Sequence, residues 1–258
     1  MKMNLSTICF VSVLVSLLTG LTGCNSELSY NDENLKNPEK IKIAVVTGGH
    51  GFEKEPFLEM FSAYDDIEYV HLHQEDESEI FENIDNWPYD VIVLYNMSHK
   101  ISEKRQANFL RLLNNGVGVV SLHHSVAAFK DWPEYRKIIG AKYYLEDTVE
   151  DGVFHRKCKY KHDVNIPLHI VDKTHPITRG MSDFVVLDET YKGSDFEPDN
   201  QVLITTDEPT SDRTICWVRN YKNSRICYIQ LGHDKVSYAD QNYRKLVQRA
   251  VQWCSKRL

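Results

Sequence analysis

The chain has 258 residues, with 37 acidic against 30 basic side chains and a formal net charge of -7 at pH 7. An acidic balance of this kind argues against nucleic acid as a partner. The length suffices for one α/β domain with a full core after any targeting segment is removed.

The first residues, MKMNLSTICFVSVLVSLLTGLTG, join a basic start at Lys2 to a short apolar core and end in small residues before Cys24. That order predicts an export signal over 1–23 and a bacterial lipobox, in which Cys24 is lipidated and becomes the mature first residue. The apolar run is short for a transmembrane anchor. Loss of Lys2 with the signal takes the net charge from -7 to -8. Residues 24–40 are polar and read as a solvated tether, and 41–258 as the folded domain. The expected location is the bacterial cell envelope, lipid-anchored and facing the periplasm, with the outer membrane favoured over the inner.

Ile41 to Thr47 (IKIAVVT) reads as a buried strand running into Gly48-Gly49-His50-Gly51 before a helix near Glu53. Glycines there either let backbone approach a ligand or simply make a tight turn. Ile67 to Leu72 is a second strand, with His71 and His73 on one face, and Glu75 to Ile84 predicts an acidic helix. Asp90 to Tyr95 is a third strand, ending at Asn96, and Ser102 to Leu113 an amphipathic helix. Val117 to Leu122 is a fourth buried strand and stops at His123-His124. Strands alternating with helices predict an α/β fold with a doubly wound, mostly parallel sheet of flavodoxin-like type, whose ligands gather at the carboxyl ends of strands one, three and four.

The carboxyl half is less regular. Asn165 to Val171 and Val202 to Thr206 read as strands, His175-Pro176 as a turn, and Val185 to Leu187 as a strand leading into Asp188-Glu189. Thr214 to Val218 and Arg225 to Leu231 form a β-hairpin, followed by Gly232-His233-Asp234 and a closing helix over Asp240 to Ser255. Cys158, Cys216, Cys227 and Cys254 lack metal-knuckle spacing. An exported protein permits disulfides among them, with Cys216 and Cys227, flanking the hairpin turn, the favoured pair.

Strand ends thus supply His50, Asn96, His123, His124 and His233, with Glu189 from the irregular half. Histidine can ligate a metal through a neutral ring nitrogen or exchange a proton near neutral pH. His123, His124 and His233 are the candidate catalytic residues, with Glu189 the supporting acid. The same four would suit a divalent metal such as zinc. Gly49, His50, Asn96, Trp132, Tyr135, Tyr191 and Asp234 are candidate substrate-binding residues, with Trp132-Pro133-Glu134-Tyr135 a candidate pocket wall.

The ordered set GGH, GVGVVSLHH with WPEY and IIG, HPITRG, DETY and GHD resembles the ThuA-like family, named for trehalose utilisation, whose domain is similar to class I glutamine amidotransferases. The resemblance covers nearly all of Ile41 to Trp253. An amidotransferase carries a nucleophilic cysteine at the strand-four elbow, where this chain has Leu122-His123-His124-Ser125. Glutamine hydrolysis through a thioester is therefore not expected. Ser125 could replace the nucleophile or cap a helix. His233 stands where the amidotransferase pattern has its histidine.

The resemblance implies a small carbohydrate as substrate: a glycoside, disaccharide or keto-sugar. Hydrolysis, acid/base or metal-assisted, and proton abstraction beside a ketone leading to elimination or isomerisation both fit these residues. A non-catalytic sugar-binding or scaffolding lipoprotein is the competing reading, and a homo-oligomer is compatible with either. A flavodoxin-type cofactor protein fits less well, because the first loop lacks a hydroxyl-rich phosphate cradle.

Overall fold

A computed structural model describes residues 39–258, Asp76 excepted. The signal expected over 1–23, the lipidation site Cys24 and nearly all of the 24–40 tether lie outside the described residues. Among the described residues, no helix is long and apolar enough to cross a membrane.

Apolar runs build the first half of the sheet: β1 (Ile41–Gly48), β2 (Ile67–His73), β3 (Val91–Asn96) and β4 (Gly118–Leu122). Helices α1 (Lys54–Ser62), α2 (Glu103–Asn114) and α3 (Pro133–Ile139) follow β1, β3 and β4. The second half adds β5 (Lys159–Ile170), β6 (Phe184–Lys192), β7 (Gln201–Thr205), β8 (Thr214–Tyr221) and β9 (Ser224–Ile229), then α4 (Lys235–Ala239) and α5 (Gln241–Cys254). All nine strands join one sheet in the order β2-β1-β3-β4-β9-β8-β7-β5-β6.

From β2 to β9 the pairings are parallel, and from β9 to β6 they are antiparallel. Strand alternation sends Val45, Val93 and Val120 to the face covered by Phe57 of α1 and Leu246 of α5. It sends Ala44, Ile92 and Val119 to the opposite face, under Phe109 of α2 and Ile138 of α3. Both faces are dry, which is why the strands between the edges read as unbroken apolar runs. The doubly wound α/β architecture follows, and the irregular carboxyl half is its antiparallel extension.

One pairing decides where chemistry can occur. The parallel register of β9 on β4 sets Ile229 beside Leu122, so the chain after β9 leaves the sheet next to His123. Gly232 makes that exit possible: its φ is +110°, and a Cβ there would lie 2.2 Å from the Tyr243 hydroxyl.

Three sequence expectations are corrected. Glu75 to Ile84 is not a helix but holds a single 3-10 turn, Glu79–Phe81, because Ser78 takes a left-handed φ of 63° and the Glu79 carboxylate accepts the Glu75 N–H at 2.7 Å. The strand expected over Val185 to Leu187 runs on to Lys192, so Asp188 and Glu189 lie within β6, both buried. Cys158, Cys216, Cys227 and Cys254 are free buried thiols. Cys216 pairs across the hairpin with Ile229, and Cys227 with Val218. The two cysteines are therefore diagonal neighbours rather than directly opposed across the hairpin, and their buried thiols are unbonded.

The His175-Pro176 turn packs into the same core. Nδ1 of His175 accepts the Ile177 N–H at 3.3 Å, and its ring lies 5.1 Å from that of Trp253. Burial lowers its pKa, Asp172 opposes the shift and Arg225 adds to it. A histidine whose folded pKa lies below its unfolded value contributes stability above the unfolded pKa, about 6.5, that is lost as pH falls through the folded value. The melting temperature should therefore fall between about pH 7 and pH 5, and fall less in His175→Asn, as calorimetry at the two pH values would measure.

Candidate functional site

β4 ends at a sharp elbow. His123 has a φ of 51°, a left-handed conformation uncommon for histidine, and opens a buried 3-10 turn, His123–Ala127. Its Nδ1 lies 2.7 Å from the carbonyl oxygen of Gln230, just past β9. A carbonyl can only accept, so Nδ1 carries the hydrogen and Nε2 presents its lone pair in the neutral ring.

That Nε2 looks into a group of polar atoms drawn from two other chain segments. It lies 3.0 Å from Glu189 Oε2 on β6, 3.3 Å from His233 Nδ1 and 2.8 Å from the Tyr191 hydroxyl. His233 Nδ1 is 3.3 Å from the same Glu189 oxygen. His123, Glu189 and His233 therefore close a triangle with edges of 3.0–3.3 Å. A tetrahedral or octahedral ion with bonds of about 2.1 Å spans similar separations between its ligands, so the three atoms fit one face of a divalent metal site.

Burial pushes the Glu189 carboxyl up, but hydrogen bonding and charge from His123 and His233 outweigh it and hold Glu189 below the usual carboxylate range. The bond to Glu189 raises His233, against the opposing effect of its burial. Burial and the Glu189 charge push the Tyr191 hydroxyl well up, so it stays protonated and donates.

Asp188, beside Glu189 on the strand, points the other way. Its Oδ2 accepts the Gly232 N–H and the Ser237 hydroxyl, both at 2.7 Å, and Oδ1 accepts the N–H groups of Glu189 at 2.7 Å and His233 at 3.1 Å. One fully buried carboxylate thus fixes the backbone of both Glu189 and His233. Above it, the Tyr95 hydroxyl donates to Gly232 O at 2.7 Å, and the Tyr238 hydroxyl to His233 O at 3.1 Å.

His162 joins the group, although no ligand spacing in the sequence pointed to it. Between β5 and β6, Lys161 pairs with Thr190 and Val164 with Asp188, so His162 and Asp163 together face Glu189. This β-bulge, with Asp163 at φ 56°, brings His162 Nδ1 within 3.3 Å of Glu189 Oε1 and its ring within 4.6 Å of that of His233. Alternation along the strand would not have placed it there.

The cluster forms the polar end of a cavity of about 260 Å³, large enough for one sugar ring, whose other walls include His50, His124, Tyr143 and Tyr160. His50 stacks on His124 at 4.5 Å, with its own Nδ1–H donating to Gly51 O at 2.7 Å. His124 sits outside the metal triangle: its Nε2–H donates to Tyr95 O at 3.3 Å. Burial, together with the charges of His123 and His50, lowers its pKa far below the usual histidine value, so it is neutral.

Other expected site residues belong elsewhere. Trp132 and Tyr135 do not wall this cavity; both pack in the core under β4, and the Tyr135 hydroxyl donates to Ser125 O at 2.8 Å. Asp234 caps α4, accepting the Val236 and Ser237 N–H groups. Gly49 answers a packing demand: at φ 72°, a Cβ would lie 2.6 Å from the Met97 and Ser98 backbone. Asn96 is buried off the cavity, its amide atoms without a partner among the described residues. The Ser125 hydroxyl donates to Leu122 O at 2.7 Å and meets the Ser121 hydroxyl; it neither caps a helix nor lies beside a base. On β2, His71 and His73 share the Thr47 hydroxyl.

No curated protein matches the chain by sequence. Among solved structures, it is similar to a ThuA-like protein from Parabacteroides merdae, at 21% identity and TM-score 0.70, over 84% of this chain and 90% of that one. A ThuA-like protein from Bacteroides uniformis matches at 21% identity and TM-score 0.61, over 86% and 94%. PurLQS from Thermotoga maritima shares the amidotransferase-like fold at 12% identity and TM-score 0.53, over 83% and 99%. Residues 42–254 match the model of a family described as ThuA, trehalose utilisation. With that match spanning all but the ends of the folded domain, the chain belongs to the ThuA family.

Proposed function

We propose that the chain is an exported enzyme of carbohydrate catabolism, lipid-anchored at Cys24, that cleaves a glycoside, disaccharide or keto-sugar at the Glu189 cluster. The family's carbohydrate role and the tyrosine-walled cavity support a sugar as ligand. The observation that carries the reading is the triangle of His123 Nε2, Glu189 Oε2 and His233 Nδ1, three potential ligand atoms within 3.3 Å of one another, with Glu189 and His233 lining the cavity.

In this reading the triangle holds a divalent cation of zinc type, which would steady developing oxyanion charge or activate water. The residues have separate tasks. The Gln230 carbonyl keeps the His123 lone pair turned inward, Asp188 sets the positions of Glu189 and His233, and His162 exchanges a proton with the sugar. In hydrolysis, water oxygen bonds to the anomeric carbon as a base takes one of its protons, the glycosidic C–O bond breaks, and the departing oxygen takes a proton. In the elimination route on a keto-sugar, a base removes the C–H proton beside the ketone and the alkoxy group leaves from the next carbon.

Full-length protein in detergent should carry about one divalent ion per chain, and His123→Ala or Glu189→Gln should reduce that content about tenfold or more, by elemental analysis. Turnover of a panel of glycosides and keto-glycosides should fall at least ~100-fold in the same variants and in His162→Ala. Incorporation of oxygen from labelled water would identify hydrolysis, and an unsaturated keto-sugar elimination. Sugar bound but recovered unchanged after long incubation would sink the enzyme reading in favour of a binding protein. Asp188→Asn should lose about 1–3 kcal/mol of unfolding free energy in urea, because its amide would face donors that now meet carboxylate oxygens.

A further inference from the structure

The polar cavity is not alone at this end of the sheet. A second cleft of about 290 Å³ lies between the short ribbon Thr148–Glu150/Val153–His155 and the start of β5, and Lys157 lines both spaces. In the proposed reading one sugar ring fills the first cavity. A second unit joined to it would have the second cleft as its place.

The charge of that cleft departs from the rest of the molecule. In a chain of formal net charge -7, the run Arg156-Lys157-Cys158-Lys159-Tyr160-Lys161 carries four positive side chains and no acid. Arg156, Lys157 and Lys159 are exposed, line the second cleft, and form no ion pair among the described residues. Basic residues nearby are engaged otherwise: Lys142 pairs with Glu150, and the Lys192 ammonium donates to Ser211 O at 2.6 Å.

Acidic groups facing the cleft are already occupied. Asp195 takes His155 Nδ1 and the Tyr144 hydroxyl, both at 2.9 Å, with Arg136 at 3.5 Å. Asp147, which does not line the cleft, accepts the backbone N–H of Lys157 at 2.6 Å and forms no ion pair with its ammonium. The unpaired positive charge gathered at the second cleft would give a bound acidic sugar a direction.

We infer that Arg156, Lys157 and Lys159 form an anion-binding subsite for the second unit of the substrate, so that the preferred substrate is an acidic glycoside bearing a phosphate, sulfate or carboxylate. The inference rests on the neighbouring cavity taking a sugar ring. Phosphate, sulfate and carboxylate share the chemistry that lysine and arginine recognise, and the three sources are separable by titration.

The test is calorimetric titration of full-length protein in detergent with trehalose, maltose and cellobiose, each against its 6-phosphate, its 6-sulfate and the matching uronic acid. At least one charged form should bind about tenfold or more tightly than its neutral parent at low ionic strength, and the advantage should shrink to within about twofold in 0.5 M salt. Lys157→Glu should abolish the same advantage, with unchanged melting temperature showing that the exposed substitution leaves the fold intact. Equal binding of neutral and charged sugars, or an advantage that survives both salt and Lys157→Glu, overturns the subsite. Inorganic sulfate supplies the separate control. Binding of sulfate that Lys157→Glu removes, with no sugar bound, would uphold the anion subsite and overturn the sugar-binding cavity. Binding of neither sulfate nor any sugar would overturn both.

Discussion

The site depends on two neighbouring carboxylates that one strand turns to opposite sides. Side chains alternate along β6, so Asp188 faces the exit of β9 while Glu189 faces the cavity. Asp188 spends its four hydrogen bonds on structure, and Glu189 gathers three histidines. Because Asp188 binds the backbone of both Glu189 and His233, the distance between the two is set by a neighbour on the other side of the strand. Burial pushes the Asp188 carboxyl up, against the pull of the His123 charge and of the Gly232, Ser237 and Glu189 donors.

The elbow of β4 makes a second contribution. Its left-handed φ lifts the first residue after the strand out of the sheet and aims it at the chain leaving β9. The group so presented is an imidazole whose tautomer is fixed by a carbonyl.

Much of the parallel half was legible in the sequence, because a strand covered on both faces must be apolar throughout and is bounded by turn residues. The paired histidines at the end of β4, and His233 after β9, followed from where such strands end. The antiparallel half was harder. β5 begins with five exposed residues, Lys159 to Asp163, so its first turns carry no hydrophobic period, and His162 reaches the site through a bulge. Aromatic residues misled for a related reason: Trp132 and Tyr135 bury their rings in the core under β4, and sequence position near a site does not say which way a ring points. Cysteines on adjacent strands misled through register, since an offset of two residues leaves Cys216 and Cys227 diagonal rather than directly opposed.

The bulge at His162 and Asp163 has a consequence of its own. Extra length in a strand normally turns every later side chain to the wrong face, and the whole hydrophobic pattern pays for it. Here the irregularity is absorbed between Lys161 and Val164, after which Val164, Ile166 and Leu168 return to the core in register. The rim of the cavity can thus gain or lose a residue while the sheet beneath it stays still. That makes this short stretch the place where descendants of one fold could change what they act on without having to refold around the change.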